Sequence, residues 1–345
     1  MTHRHDFASD NTAGISPEAW RALEEANADT DQSYGGDRWT ERLRDLLREI
    51  FETDCEVFMV FNGTAANSLA LAQLCQPFHA IVCHERAHIY TDECAAPEFM
   101  SGGAKLLTVA GANGKLNLAT VEETLAKYCD VHSSKPHVIS VTNSTECGTV
   151  YTRDELARVA ELARSRDLRL HMDGARFANA IASLGCAPKE ITWQLGFDVL
   201  CFGGTKNGTG AGEVVIFFNK ALAEEFDYRV KQAAQLASKM RFLSAPWCGL
   251  LQDGAWLRHA QHANRSAGLL SRKLRDAIGV EPVFPREASA LFVRLPEQVV
   301  AAMHARGWHF HAFFEPDLYR LMCSWATTEQ QIDQLVADLK AAQRV

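Results

Sequence analysis

The strongest constraint on the fold is a rhythm. From residue 56 onward, seven short apolar runs alternate with longer amphipathic stretches. The runs are Val57-Phe58-Met59-Val60-Phe61, Ala80-Ile81-Val82-Cys83, Leu106-Leu107-Thr108-Val109, Val138-Ile139-Ser140-Val141, Leu168 to Met172, Val199-Leu200-Cys201-Phe202 and Val214-Val215-Ile216-Phe217-Phe218. Strands covered on both faces need such unbroken apolar runs, and helices between them supply the cover. The alternation predicts an α/β chain with a seven-stranded, mostly parallel sheet flanked by helices. Several helix starts are legible. Ser16-Pro17 reads as N-cap and first helical residue of a helix to about Asn27, and Glu41 to Phe51 carries a helical stripe. Thr152-Arg153-Asp154-Glu155 is a capping box opening a helix to about Arg164.

After residue 219 the pattern turns long and helical, from Ala221 to about Ile278, with a break expected around Ser244-Ala245-Pro246. A strand at Leu291-Phe292-Val293, a helix, a strand near Leu321-Met322-Cys323 and a helix from Thr328 complete the chain. This divides the sequence into an N-terminal arm and large domain over 1–245 and a small α+β domain over 246–345. With 345 residues and 47% hydrophobic content there is material for both cores.

A net charge of −8 without a basic run argues against nucleic acid or an anionic membrane as partner, and favours a small-molecule substrate. The start, Met1-Thr2-His3-Arg4-His5-Asp6, lacks a signal peptide's apolar stretch, and no apolar run is long enough to span a bilayer. The ten cysteines stand singly, with no C-x-x-C pair. Together these features point to a reducing compartment, the cytoplasm.

Three segments carry candidate chemistry. The first is Cys201-Phe202-Gly203-Gly204-Thr205-Lys206-Asn207-Gly208-Thr209-Gly210, which places a lysine among four glycines after an apolar run. It is no P-loop, because Thr205 precedes the lysine and a strand rather than a helix follows. Glycines let a backbone pass close to a ligand while an amine reaches into a pocket as a nucleophile. On spacing alone a surface lysine in a hairpin fits equally well. The second is Leu170-His171-Met172-Asp173-Gly174-Ala175-Arg176, which puts Asp173 at the C-terminal end of a strand, where α/β sheets gather ligands. There the aspartate could pair with a protonated heterocyclic nitrogen, as pyridoxal phosphate requires, and Arg176 could hold a carboxylate. Taken alone, Asp173 reads more simply as an N-cap. The third is Phe61-Asn62-Gly63-Thr64-Ala65-Ala66-Asn67, a strand running into a helix whose N-terminus suits a phosphate.

These segments, with Asp6-Phe7-Ala8-Ser9-Asp10-Asn11-Thr12, Tyr34-Gly35-Gly36-Asp37, Ala87-His88 and Leu318-Tyr319-Arg320-Leu321, resemble the low-specificity L-threonine aldolases of the β-eliminating lyase superfamily, nearly end to end. The resemblance implies a fold-type-I enzyme using pyridoxal 5'-phosphate for retro-aldol cleavage of L-threonine, L-allo-threonine and related β-hydroxy amino acids to glycine and an aldehyde. It implies that Lys206 attaches the cofactor, that Asp173 pairs with its ring nitrogen, and that Gly63, Thr64 and Arg241 hold its phosphate. It further implies that His88 stacks on the ring and serves as base, and that Ser9, Arg176 and Arg320 clamp the substrate carboxylate. A homotetramer with sites between subunits is implied too, to which the Tyr34 segment and Arg241 contribute across an interface. Where many relatives carry histidine, this chain has Glu146, which makes Glu146 a second candidate base.

Two alternatives follow the same residues. A phenylserine-preferring aldolase or another fold-type-I lyase would read almost identically. His84-Glu85-Arg86-Ala87-His88 matches the H-E-x-x-H pair of zinc hydrolases, but that geometry needs one helix to present both histidines, and His84 follows an apolar strand. No metal site is therefore expected.

Overall fold

The computed structural model describes residues 4–343; the expectations for the first three and last two positions lie outside the described residues. All seven apolar runs form strands: β1 (Glu56–Val60), β2 (His79–His84), β3 (Lys105–Val109), β4 (Lys135–Thr142), β5 (Arg169–Gly174), β6 (Val199–Phe202) and β7 (Glu213–Phe217). They build one sheet in the order β1-β7-β6-β5-β4-β2-β3. Neighbours from β6 through β3 are parallel, whereas β7 runs antiparallel to both β1 and β6. The central strands β2, β6 and β7 are buried along their whole length, as their unbroken apolar composition requires.

The helix starts are set by side-chain chemistry. Ser16 accepts the backbone N–H of Ala19 and caps Pro17–Asn27. Asp37, a cap the stripe alone did not reveal, accepts that of Thr40 and begins Arg38–Phe51 three residues before Glu41. Thr152 and Glu155 close the expected capping box on Arg153–Ser165. Leu43, Leu47 and Phe51, spaced by four, are fully buried against the sheet.

The region after residue 219 differs from expectation. The helical run is divided into Phe226–Gln232, Arg241–Leu251 and Ala255–Ile278. The break foreseen at Ser244-Ala245-Pro246 is absent: Pro246 lies inside Arg241–Leu251, and the chain turns instead at Gln252–Gly254, where Asp253 and Gly254 have positive φ. Proline disfavours a helix interior, yet residues 243–248 are all buried, so packing overrides the local preference. The domain division drawn between residues 245 and 246 thus falls inside this helix. Beyond it, β8 (Ala290–Arg294), β9 (Ala312–Phe313) and β10 (Glu315–Met322) form an antiparallel sheet in the order β8-β10-β9. A separate core packs that sheet on helices Glu297–Ala305 and Glu329–Ala342. The N-terminal arm reaches this unit, since Met322 donates its N–H to the carbonyl of Phe7. No helix among the described residues is long and apolar enough to cross a membrane.

Candidate active site

Because β7 reverses twice, β1, β2, β4, β5 and β6 all point the same way and end on one edge of the sheet. At that edge lies a cavity of about 360 Å³ whose walls include Asn62, Gly63, Thr64, Asn67, His88, Asp173 and Lys206. Larger hollows exist elsewhere, but this one gathers residues from all three candidate segments at the strand ends, where open α/β sheets bind ligands.

Lys206 sits in the single turn Thr205–Asn207 between β6 and β7. The glycines before it permit close approach: a Cβ on Gly203 would lie 2.4 Å from the Ala175 carbonyl, and one on Gly204 would lie 2.4 Å from the Trp247 ring. The turn is thereby pressed against the end of β5, bringing Lys206 and Asp173 into one cavity. Beneath it, buried Glu213 accepts the N–H of Gly204 at 2.5 Å, and burial pushes its carboxyl above the usual range. Asp173 is not an N-cap, because the next helix begins at Phe177 with Arg176 in the cap position. Instead Oδ1 of Asp173 accepts the N–H of Ala175 at 3.0 Å and Oδ2 accepts Nδ2 of Asn67 at 3.2 Å, which fixes the carboxylate in place.

Asn67 links this carboxylate to a second group. Its Nδ2 also reaches Oε1 of Glu93 at 2.9 Å, and Glu93 lies 2.8 Å from Nδ1 of His88. The hydrogen bond donated to Glu93 raises the His88 pKa above its ordinary value against the opposing effect of burial, while burial pushes the Glu93 carboxyl upward. With Nδ1 donating to Glu93, Nε2 is the basic nitrogen of His88. The zinc alternative does not survive this geometry. His84 lies in β2 with Nε2 on the Gly111 carbonyl, whereas His88 opens the helical turn His88–Thr91, so no single helix presents both.

A cationic cluster lies beside the cavity. Arg176 is buried and paired with Asp10 through Nε at 2.7 Å and Nη2 at 3.0 Å, so the carboxylate it holds is the chain's own. Burial alone would raise Asp10, but Arg176 holds its carboxyl below the usual range. Ser9 caps the turn Asp10–Thr12, which packs beside the turn of Lys206. Arg320, on β10, has a buried Nε with no hydrogen-bond partner, and burial together with the charge of Arg176 keeps its pKa below the guanidinium norm. Glu146 follows β4 and its charge acts on His88, Arg176 and Arg320. Two expected residues are not brought here. Arg241 donates Nε to the Ala26 carbonyl, and Tyr34 is half exposed with Lys231 over its ring; like Ser9, Glu146, Arg176 and Arg320 they do not line the cavity, and unlike those four they are not linked to the cluster around Asp10.

Sequence reasoning missed Asp10, Asn67 and Glu93 as site residues. Asp10 and Asn67 stood inside the quoted segments, and Glu93 follows His88 by five positions, but their pairings join residues 166, 106 and 26 apart.

This sheet, with a lysine turn after β6, an aspartate ending β5 and a helix N-terminus after β1, is the scaffold of the fold-type-I aminotransferase-like enzymes. A threonine aldolase from Leishmania major superposes with a TM-score of 0.92 at 27% identity, covering 98% of this chain and 99% of that one. The sequence profile of the beta-eliminating lyase family matches residues 6–295, and the chain belongs to that family. The low-specificity L-threonine aldolase of Pseudomonas sp. strain NCIMB 10558 is 56% identical over 97% of both chains, and that of Pseudomonas aeruginosa is 54% identical over 98% of both.

Proposed function

We propose that the protein cleaves L-threonine, L-allo-threonine and related β-hydroxy-α-amino acids to glycine and an aldehyde, acetaldehyde in the case of threonine, with pyridoxal 5'-phosphate as cofactor. The observation that carries this reading is the meeting of Lys206, Asp173 and His88 with the helix start Gly63–Thr64 in one cavity, in a chain more than half identical to two L-threonine aldolases.

The residues present fit that cofactor. The start of helix Gly63–Leu74 offers backbone donors, a Cβ on Gly63 would meet nothing within 4 Å, and Oδ1 of Asn67 in the cavity wall has no hydrogen-bond partner. Lys206 would attach the cofactor, Gly63 and Thr64 would hold its phosphate, Asp173 would keep its ring nitrogen protonated and His88 would stack on the ring. Bound there, the cofactor supplies an electron sink for the pair released when Cα–Cβ breaks.

The chain's own residues supply orientation and proton transfer. Arg320, whose Nε has no partner among the described residues, and Ser9 hold the substrate carboxylate, while Arg176, kept in place by Asp10, adds its charge beside them; this fixes the direction of the Cα–Cβ bond. His88 takes the β-hydroxyl proton at Nε2 while Glu93 supports the charge through Nδ1, as a carboxylate does for any histidine base. Glu146 is the competing base, or orients a water between the two. Tyr34 and Arg241, lying outside this chain's cavity, act from a second copy in a homotetramer. The free thiols, seven of ten buried, suit work in the cytoplasm.

The test is product analysis: the purified protein given L-threonine should release equal amounts of glycine and acetaldehyde, and Lys206→Ala none. Ammonia and a keto acid in their place would overturn the proposal in favour of an eliminating lyase. Strong preference for phenylserine would revise the substrate but not the reaction.

A further inference from the structure

A second hollow, of about 630 Å³, lies between the end of helix Phe177–Leu184 and the helix Ala255–Ile278, and shares no lining residue with the cavity around Lys206. Its character is cationic. Arg265 and Arg272 lie seven residues apart on one stripe of the long helix, with Gly268 between them, and Arg286 approaches from the loop before β8. A methyl group on Gly268 would stand 3.6 Å from both Nη1 of Arg272 and Cζ of Arg286, so two guanidiniums overhang the same spot of bare helix.

These cations are poorly matched within the chain. Arg265 and Arg272 make no ion pair among the described residues, unlike Lys273 and Arg275 beside them. Arg286 reaches the carbonyls of Asn264 and Ala288 only at 3.4 and 3.5 Å, and its pKa is lowered by burial and by Arg272. The one carboxylate among the residues lining it, Glu287, acts on Arg286 through its charge but makes no ion pair with it, and accepts the N–H of Val150 at 2.6 Å. Holding two guanidiniums together costs electrostatic energy that a bound anion would offset, and planar forks match the oxygens of a phosphate two at a time.

We infer that this hollow is a binding site for the phosphate dianion of a small metabolite, with Arg272 and Arg286 as its principal ligands over Gly268 and Arg265 at its rim. The test is calorimetry on the protein loaded with its cofactor, so that any phosphate site in the first cavity is already filled. Inorganic phosphate and glycerol phosphate are titrated separately against chloride at equal ionic strength. Saturable binding of one or both at one per chain is expected, weakened about tenfold for Arg272→Gln and further for Arg272→Gln with Arg286→Gln. Tighter binding of the ester would identify an esterified phosphate, and equal or tighter binding of the inorganic ion free phosphate. Heats no different from chloride would overturn the inference. So would unchanged phosphate binding in the double variant, accompanied in sedimentation by a loss of assembly, since the arginines would then serve contacts with a second copy.

Discussion

Replacing Glu93 by glutamine isolates one term of the proposed chemistry. The amide oxygen can still accept from Nδ1 of His88 and Nδ2 of Asn67, which lie 2.8 and 2.9 Å from Oε1, so shape and both hydrogen bonds are retained; the charge is lost, and the amide nitrogen takes the place of Oε2, which has no partner among the described residues. A hydrogen bond to a charged partner is worth about 1.5–3 kcal/mol against about 0.5–1.5 for a neutral one. The difference, about 1–2 kcal/mol, corresponds to a fall of about 5- to 30-fold in kcat/KM if His88 carries the proton in the transition state. The sign of the pH effect is fixed as well. Glu93 raises the His88 pKa, and a base works only when unprotonated, so the acid limb of kcat/KM lies where His88 titrates. Without the charge that limb must move to lower pH. The assay is acetaldehyde release from L-threonine across pH, for the wild type, Glu93→Gln and Glu146→Gln. An acid limb unmoved in Glu93→Gln but displaced in Glu146→Gln would refute His88 as the base and transfer the role to Glu146.

Two further outcomes follow from the arginine cluster. Asp10→Asn leaves Arg176 buried without its anion and should cost about 3–5 kcal/mol, read as a lower urea midpoint by tryptophan fluorescence. Because the folded Asp10 carboxyl lies below its unfolded value, its contribution is complete above about pH 4 and is lost as pH falls through the depressed folded value, so the gap between variant and wild type should narrow in acid. Arg320→Ala removes a buried donor with no partner in the chain and should raise KM for threonine about ten- to a hundredfold, with Arg320→Lys failing to restore it because a point charge cannot replace the fork.

What could be read from the sequence was what local chemistry decides. The seven strands announced themselves because a strand covered on both faces must be apolar at every position, and Ser16 and Thr152 marked helix starts because a hydroxyl there satisfies an orphan N–H. Lys206 and Asp173 were ambiguous one at a time, a hairpin lysine and an N-cap serving equally well, and became legible only when the three segments were taken together with the family resemblance. Pro246 misled, since its local penalty is outweighed by burial that only the assembled fold provides. Asp10 looks in sequence like any loop carboxylate, and its bond to Arg176 exists only once the arm has crossed to the end of β5. The Asn67–Glu93–His88 chain is likewise a product of two separate segments meeting.

The account rests on Lys206 as the point of cofactor attachment. Reduction of the purified protein with borohydride, followed by proteolysis and mass spectrometry, tests this directly. A phosphopyridoxyl group on the peptide containing Lys206, suppressed when threonine or glycine is added before reduction, is the predicted result. A label on another lysine, or a protein that remains unlabelled after incubation with pyridoxal phosphate, would contradict it.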